Sequence, residues 1–321
     1  MTGRSPARCS VQAGPGEHQP RRARDPRRLR ENVSTVFLGA ILLVSCGDVR
    51  SSLPREVVRA RVAELAPAVN LGHRGSGMTV PGNPWPENSA AGFGAALAAG
   101  ADALELDTEI TADGRVIVMH DDRLDRTTTC SGCVSAWTAA EIRARCSLLD
   151  GAGVPTTEVP PTLAEAFAIA GERLVSVELK VNGGECLTAT TGADQLTDAV
   201  LTELTALGVE SRTLLSSFDR AAVRRARASD RGLYVGLLVG VVESAAWPEP
   251  LAWSVANGLD AFLPFLTISA EGIGAARDGG LQTHVWTVNP EATMRAFLAT
   301  GVSGIITDAP GRLAAVQGPR G

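Results

Sequence analysis

One lysine stands among twenty-nine arginines in this chain, and that residue, Lys180, follows Glu178 by two positions in the run SVELKV. In an extended strand residues i and i+2 share a face, so a carboxylate and an ammonium would project together. ALELDTEI, residues 103–110, repeats the spacing with Glu105 and Asp107. GHRG supplies His73 and Arg74, and VMHDD supplies His120. Oxygen ligands with no Cys or closely spaced His pair among them suit Mg2+ or Ca2+ rather than zinc. Two imidazoles beside such an ion suit a general base and a general acid. Arg and Lys next to them suit an anionic substrate whose charge grows in the transition state. Cleavage of a phosphate ester is the reaction class to which this set points.

These residues need a scaffold that brings separate strands to one place. From residue 67 onward, short β-branched or Leu-rich runs alternate with Ala-rich stretches of helical character. The runs fall at 68–75, 103–110, 173–181, 213–218, 234–240, 261–266, 284–289 and 304–308. SAAGFGAALAAG and EATMRAFLATG read as helices between them, and Thr162 and Glu165 have the spacing of a capping box. Eight strands with intervening helices predict an α/β fold, a (β/α)8 barrel. A doubly wound sheet is the alternative, weakened because no GxGxxG follows a strand. After strand 2 only TADG separates ALELDTEI from RVIVMHD, which leaves room for a β-hairpin but not for a crossover helix. Counting from the turn at Asp113, the hairpin returns His120 roughly level with Asp107. His73, Arg74, Glu178, Lys180, Trp286 and Asp308 each end a predicted strand. All would therefore meet at the C-terminal face of the barrel, where barrel enzymes carry their chemistry.

GHRG, PENS, ALELDTEITADGRVIVMHDDRLDRTT, VELK, VWTVN and GIITDAP together resemble the glycerophosphodiester phosphodiesterase family, in order and over residues 69–315. The resemblance implies a TIM barrel of the phosphatidylinositol-phospholipase-C-like type that hydrolyses glycerophosphodiesters to glycerol 3-phosphate and an alcohol. It implies Glu105, Asp107 and Glu178 as ligands of one divalent cation, His73 and His120 as the acid–base pair, and Arg74 and Lys180 as phosphate contacts. A compact ammonium suits a pocket that already holds a metal, a guanidinium and a phosphate. Trp286 is read as core packing or a lid on the glycerol. Glu87 would support the metal or Arg74 from behind, and Asp308 would orient a site residue or cap the next turn. Asn88 or Ser89 caps a helix, Arg126 braces the His120 strand, and His284 is structural. Two rivals are a phospholipase D-like enzyme acting on lysophospholipid or sphingomyelin, and a non-catalytic binding lipoprotein. The second needs a broken motif, and none is found.

The 321 residues are 45% apolar but only 4% aromatic, so the core must be built from Ala, Leu and Val. The formal charge of −5 is uneven: residues 32–321 carry 22 basic and 32 acidic groups. An acidic body argues against nucleic-acid partners and fits a protein that holds cations. At the N-terminus Arg27, Arg28 and Arg30 precede VSTVFLGAILLVSCGD, an apolar run too short to span a bilayer. Leu43-Val44-Ser45-Cys46 resembles a bacterial lipobox. Residues 1–46 are accordingly read as a basic leader and lipoprotein-type signal. Cys46 would be lipidated and would anchor an exported domain to the outer face of the cell membrane; an ordinary cleaved signal and secretion is the alternative. Residues 47–66 form a linker or N-terminal helix, and 67–318 the barrel. CSGC lacks the second CxxC or His pair of a zinc site, so Cys130, Cys133, Cys146 and Cys186 are read as structural disulfides. Cys130 or Cys133 is expected to join Cys146.

Overall fold

A computed structural model describes residues 53–181, 186–188, 192–229 and 231–319. The leader, Cys46 and part of the loop after Lys180 lie outside the described residues. The strands are β1 (Val69–Gly72), β2 (Ala103–Ile110), β3 (Val116–Val118), β4 (Leu174–Leu179), β5 (Thr213–Ser217), β6 (Tyr234–Val239), β7 (Ala261–Pro264), β8 (Gln282–Val285) and β9 (Gly304–Thr307). They run β1-β9-β8-β7-β6-β5-β4-β2, and β1 pairs again with β2, so eight parallel strands close into a (β/α)8 barrel. The ninth, β3, pairs antiparallel with the end of β2. This is the expected hairpin. Its register places Met119 opposite Asp107, with the Met119 amide donating to the Asp107 carbonyl at 3.1 Å, so His120 lies one residue beyond level.

Strand alternation explains how one sequence serves both core and site. In β2, Leu104 and Leu106 enter the main hydrophobic core with Val175, Val177 and Leu179 of β4. Ala103 and Leu174 enter a second cluster with Val69, Leu71, Leu214 and Tyr234. The residues in step with that second set, Glu105, Asp107 and Glu178, therefore lie on the inner face of the barrel. Register aligns them, since Asp107 is paired with Glu178 across the β2–β4 ladder.

Helix α1 (Pro54–Glu64) also belongs to the barrel. Val58 and Val62 complete the inner cluster. The Arg59 guanidinium donates to the carbonyls of Asp260 at 3.1 Å and Gly280 at 2.7 Å, just ahead of β7 and β8. The helix therefore closes the N-terminal end, opposite the site. Ser89, not Asn88, caps α2 (Ala90–Ala98) by accepting from the Gly92 amide at 2.9 Å. The expected capping box of Thr162 and Glu165 opens the helix Leu163–Ala170. His284 is fully buried in β8 against the Tyr234 hydroxyl at 3.0 Å, and burial pushes its pKa down to about 4, which keeps it neutral.

The segment after β3 has its own small core of Ile117, Met119, Leu124, Val134, Ile142 and Cys146. Cys130 bonds to Cys146, as one of the two expected pairings has it, and Cys133 bonds to Cys186 of the loop after β4.

Replacing Val58 with Ala removes two methyl groups from a fully buried place and should lower the unfolding free energy by roughly 2 kcal/mol. Urea titration measures this. A loss below about 0.5 kcal/mol, the scale of a surface substitution, would mean that α1 does not share the barrel core.

Candidate active site

Carboxylate oxygens of Glu105, Asp107 and Glu178 all lie within 4.8 Å of one another, and all three residues are buried. Their neighbours hold them from several directions. The Arg74 backbone amide donates to Glu105 Oε2 at 2.8 Å, with Arg74 in the left-handed region at φ 51°. Gly75 follows at φ 85°, and a Cβ there would meet the Gly92 carbonyl carbon at 2.8 Å, so glycine is what lets α2 come this close. Asn88, also left-handed at φ 52°, donates its side-chain amide to Asp107 Oδ2 at 2.8 Å and accepts from the Asp107 backbone amide at 3.3 Å.

Positive charge comes from two sides. Arg74 meets Glu87 at 2.8 Å and Asp107 at 3.4 Å. Lys180 Nζ donates to Glu178 Oε1 at 2.8 Å, lies 3.8 Å from Asp107 Oδ1 and approaches His120 Nε2 at 3.1 Å. The expected position of Lys180, on the same face as Glu178, is the observed one.

Each imidazole is held by a carboxylate. His73 Nδ1 lies 2.6 Å from Asp308 Oδ1, and Asp308 is itself fixed by the Asn289 amide at 2.7 Å. His120 Nδ1 lies 2.6 Å from Asp121 Oδ1. With Nδ1 of each ring committed to a carboxylate, Nε2 is the nitrogen available for proton transfer. A cavity of about 160 Å3 lies between the two rings. His73, Arg74, Glu105, His120, Glu178 and Lys180 line it on one side. Phe218, Leu238, Trp286 and Ile306 form the other wall. A larger space of about 380 Å3, lined by Arg143, Glu158 and Glu165 among others, contains none of these groups.

The sequence matches the Glycerophosphoryl diester phosphodiesterase family over residues 73–312. The chain belongs to that family. A glycerophosphodiester phosphodiesterase of Caldanaerobacter subterraneus subsp. tengcongensis is 30% identical over 245 residues, covering 75% of this chain and 93% of that one. A Silicibacter pomeroyi protein assigned to the same activity has a crystal structure that matches with TM-score 0.67 and 29% identity, covering 78% of this chain and 93% of that one. An Oleispira antarctica phosphodiesterase, solved with the product sn-glycerol-3-phosphate, matches with TM-score 0.65 and 22% identity over 79% of this chain and 98% of that one. As a family member the chain is an enzyme, a hydrolase of glycerophosphodiesters.

In this phosphodiesterase all the residues read as site residues from the described part of the sequence converge on one mouth. Glu87 supports Arg74 rather than the carboxylate cluster. Asp308 orients His73. Trp286 is a fixed wall: its indole N–H donates to the Leu263 carbonyl at 2.9 Å, and its ring packs edge-on against Phe218 and Phe265. Sequence reasoning missed Asp121, Asn289 and Phe218, and offered Asn88 only as one of two possible caps with Ser89. Position beside His120 and at strand ends was the available signal for the first three.

Burial, with repulsion from Asp107 and Glu178, raises the Glu105 carboxyl well above the usual range. Glu178 is pushed up to about 7 by burial and by Asp107, against the pull of Lys180. Asp107 goes the other way, to about 2, because Arg74, Lys180, His120 and the Asn88 amide outweigh its burial. Three buried carboxylates, two of them raised because too little positive charge stands beside them, fit a divalent cation such as Mg2+ or Ca2+.

A cation held by Glu178 must compete with the proton this carboxyl takes up near pH 7. Affinity should therefore fall as pH drops through about 7, by about tenfold between pH 8 and pH 6 for Glu178 alone. Calorimetric titration with Ca2+ or Mg2+ measures it; an affinity flat over that range would contradict the assignment of Glu178 as a ligand.

Proposed function

We propose that the enzyme cleaves a glycerophosphodiester to sn-glycerol 3-phosphate and an alcohol by acid–base catalysis between His73 and His120, at one divalent cation held by Glu105, Asp107 and Glu178. The observation that carries this is a pair of carboxylate-oriented imidazoles that line one cavity together with Glu105 and Glu178 of the carboxylate cluster. When bound, the cation supplies Lewis-acid stabilisation to a phosphate oxygen. Arg74 and Lys180 take up the remaining phosphate charge, which grows as the phosphorus becomes five-coordinate. His73 Nε2 accepts the proton of the attacking hydroxyl, either water or the glycerol 2-hydroxyl, which gives a cyclic phosphate that a water molecule then opens to glycerol 3-phosphate. His120 Nε2 donates a proton to the oxygen that leaves with the alcohol as its P–O bond breaks. Asp308 and Asp121 keep Nδ1 protonated throughout and stabilise each imidazolium. Phe218 and Trp286 face the glycerol carbons. The Oleispira relative, with its bound product, supports the glycerol 3-phosphate end of this reading.

A second reading is a phospholipase D-like reaction on lysophospholipid or sphingomyelin. It is favoured by exposed apolar side chains on the mouth loops, with Val242 77% exposed after β6, and Leu187 and Phe218 also exposed after β4 and β5. Two disulfides among the described residues support an exported enzyme. Lipid anchoring at Cys46 on the outer membrane face is proposed from the leader sequence.

A coupled glycerol 3-phosphate assay, with choline release followed in parallel for both substrates, tests the main reading. Glycerophosphocholine should be cleaved, chelator should abolish turnover, and lysophosphatidylcholine should be the poorer substrate. His73→Ala and His120→Ala should each lower kcat by roughly 10²–10⁴-fold while leaving cation binding intact. Near-normal turnover of both variants would refute the acid–base pair. Preference for lysophosphatidylcholine would install the second reading.

A further inference from the structure

Arg126 lies outside the pocket lining, on the segment that follows β3, yet its guanidinium is spent on two carboxylates that lead into the site. Its Nε donates to Asp121 Oδ2 at 2.6 Å and Nη2 to Asp121 Oδ1 at 3.0 Å. Its Nη1 donates to Glu87 Oε2 at 2.9 Å and Nη2 to Glu87 Oε1 at 2.7 Å. Asp121 holds His120, and Glu87 holds Arg74. An unbroken line of charge-assisted hydrogen bonds thus runs His120–Asp121–Arg126–Glu87–Arg74, from one catalytic imidazole to the guanidinium at the far side of the carboxylate cluster.

We propose that Arg126 is a positioning residue, which sets the ring of His120 through Asp121 and the fork of Arg74 through Glu87; the assignment rests on the reading of His120 as a proton-transfer group given above. Asp121 is adjacent to His120 in sequence and 26% exposed as a side chain. Without a second partner it could turn to water and release the ring. Glu87 is the opposite case. It is 2% exposed and already paired with Arg74, and Arg126 is the second cation that fixes how its two oxygens are shared. Arg126 answers both needs because a planar guanidinium binds two carboxylates bidentately, which a lysine ammonium cannot do. The Arg126 side chain is itself 40% exposed, so its ion pairs contribute little to global stability. Its effect should fall on orientation rather than on folding.

Three variants separate these roles: Arg126→Gln, Arg126→Lys and Asp121→Asn. Each is assayed on glycerophosphocholine, by thermal melting, by Ca2+ titration, and by proton NMR of the His120 Nδ1–H signal, assigned by its loss in His120→Ala. Arg126→Gln should lower kcat roughly 10–100-fold, with KM moved less than about threefold. Melting and Ca2+ affinity should stay at wild-type values, and the Nδ1–H signal should broaden into exchange with water. Arg126→Lys should resemble Arg126→Gln, because it keeps the charge and loses the fork. Asp121→Asn should lose the signal as well. Full activity with a wild-type signal in Arg126→Gln would overturn the proposal. Full rescue by Arg126→Lys would overturn the fork, and a kcat loss that follows the melting temperature would make Arg126 merely structural. If the wild-type enzyme does not cleave the substrate, the functional reading fails, and the NMR comparison still decides whether Arg126 sets His120.

Discussion

Three carboxylates buried side by side on the inner face of β2 and β4 are the constraint around which the mouth is arranged. Taking an ion out of water costs on the order of several kcal/mol, and like charges a few ångströms apart add repulsion. Arg74 and Lys180 offset two of the three negative charges. The remaining deficit is visible in the carboxyls of Glu105 and Glu178, both raised above the usual range. On the proposed reading, a divalent cation would supply the positive charge that the cluster lacks. The same imbalance that penalises the empty cluster would favour binding of a cation there.

The barrel meets this constraint with strand alternation alone. Leu104 and Leu106 face the helices in the main core, while the intervening Glu105 and the following Asp107 face inward. In β4, Val175, Val177 and Leu179 do the outer work, and Glu178 and then Lys180 the inner. A shift of one residue in either register would bury leucine in the pocket and turn carboxylates into the hydrocarbon core. Core packing therefore fixes the chemistry, since the apolar side of each strand has a single way to sit. Below the site, the inner face is sealed by alanine, valine, leucine and tyrosine, with α1 closing the end.

Much of this was legible because it depends on short-range periodicity. Glu105 with Asp107, and Glu178 with Lys180, are two apart, and two apart in a strand means one face. The hairpin after β2 could be read from a four-residue turn. What stayed hidden depends on contacts between distant segments or on a choice among equal neighbours. Asp121 and Asp122 are adjacent and identical in type; only the loop path sends Asp121 to His120. Asn88 carries a good capping side chain, but its left-handed backbone turns that side chain to Asp107 and leaves the cap to Ser89. Asn289 acts through Asp308, a contact between the ends of two strands. The partner of Cys186 was open for the same reason, since four cysteines allow three pairings and spacing alone does not choose among them.

The two imidazoles are supported in unlike ways, and the difference explains features of the segment after β3. His73 ends β1 and leans on Asp308 at the end of β9, so the parallel ladder between those strands positions both partners. His120 lies beyond a strand of three residues that pairs only with the end of β2. Ladder bonds are few there, and the proton transfer proposed for His120 would need its ring held accurately. Other devices fill that place. Cys130–Cys146 closes the segment on itself, Cys133–Cys186 fastens it to the loop after β4, and a small apolar core packs beneath it. Arg126 ties it by charge to Glu87. One imidazole is thus placed by the barrel, and the other by covalent and ionic cross-links that stand in for a barrel strand.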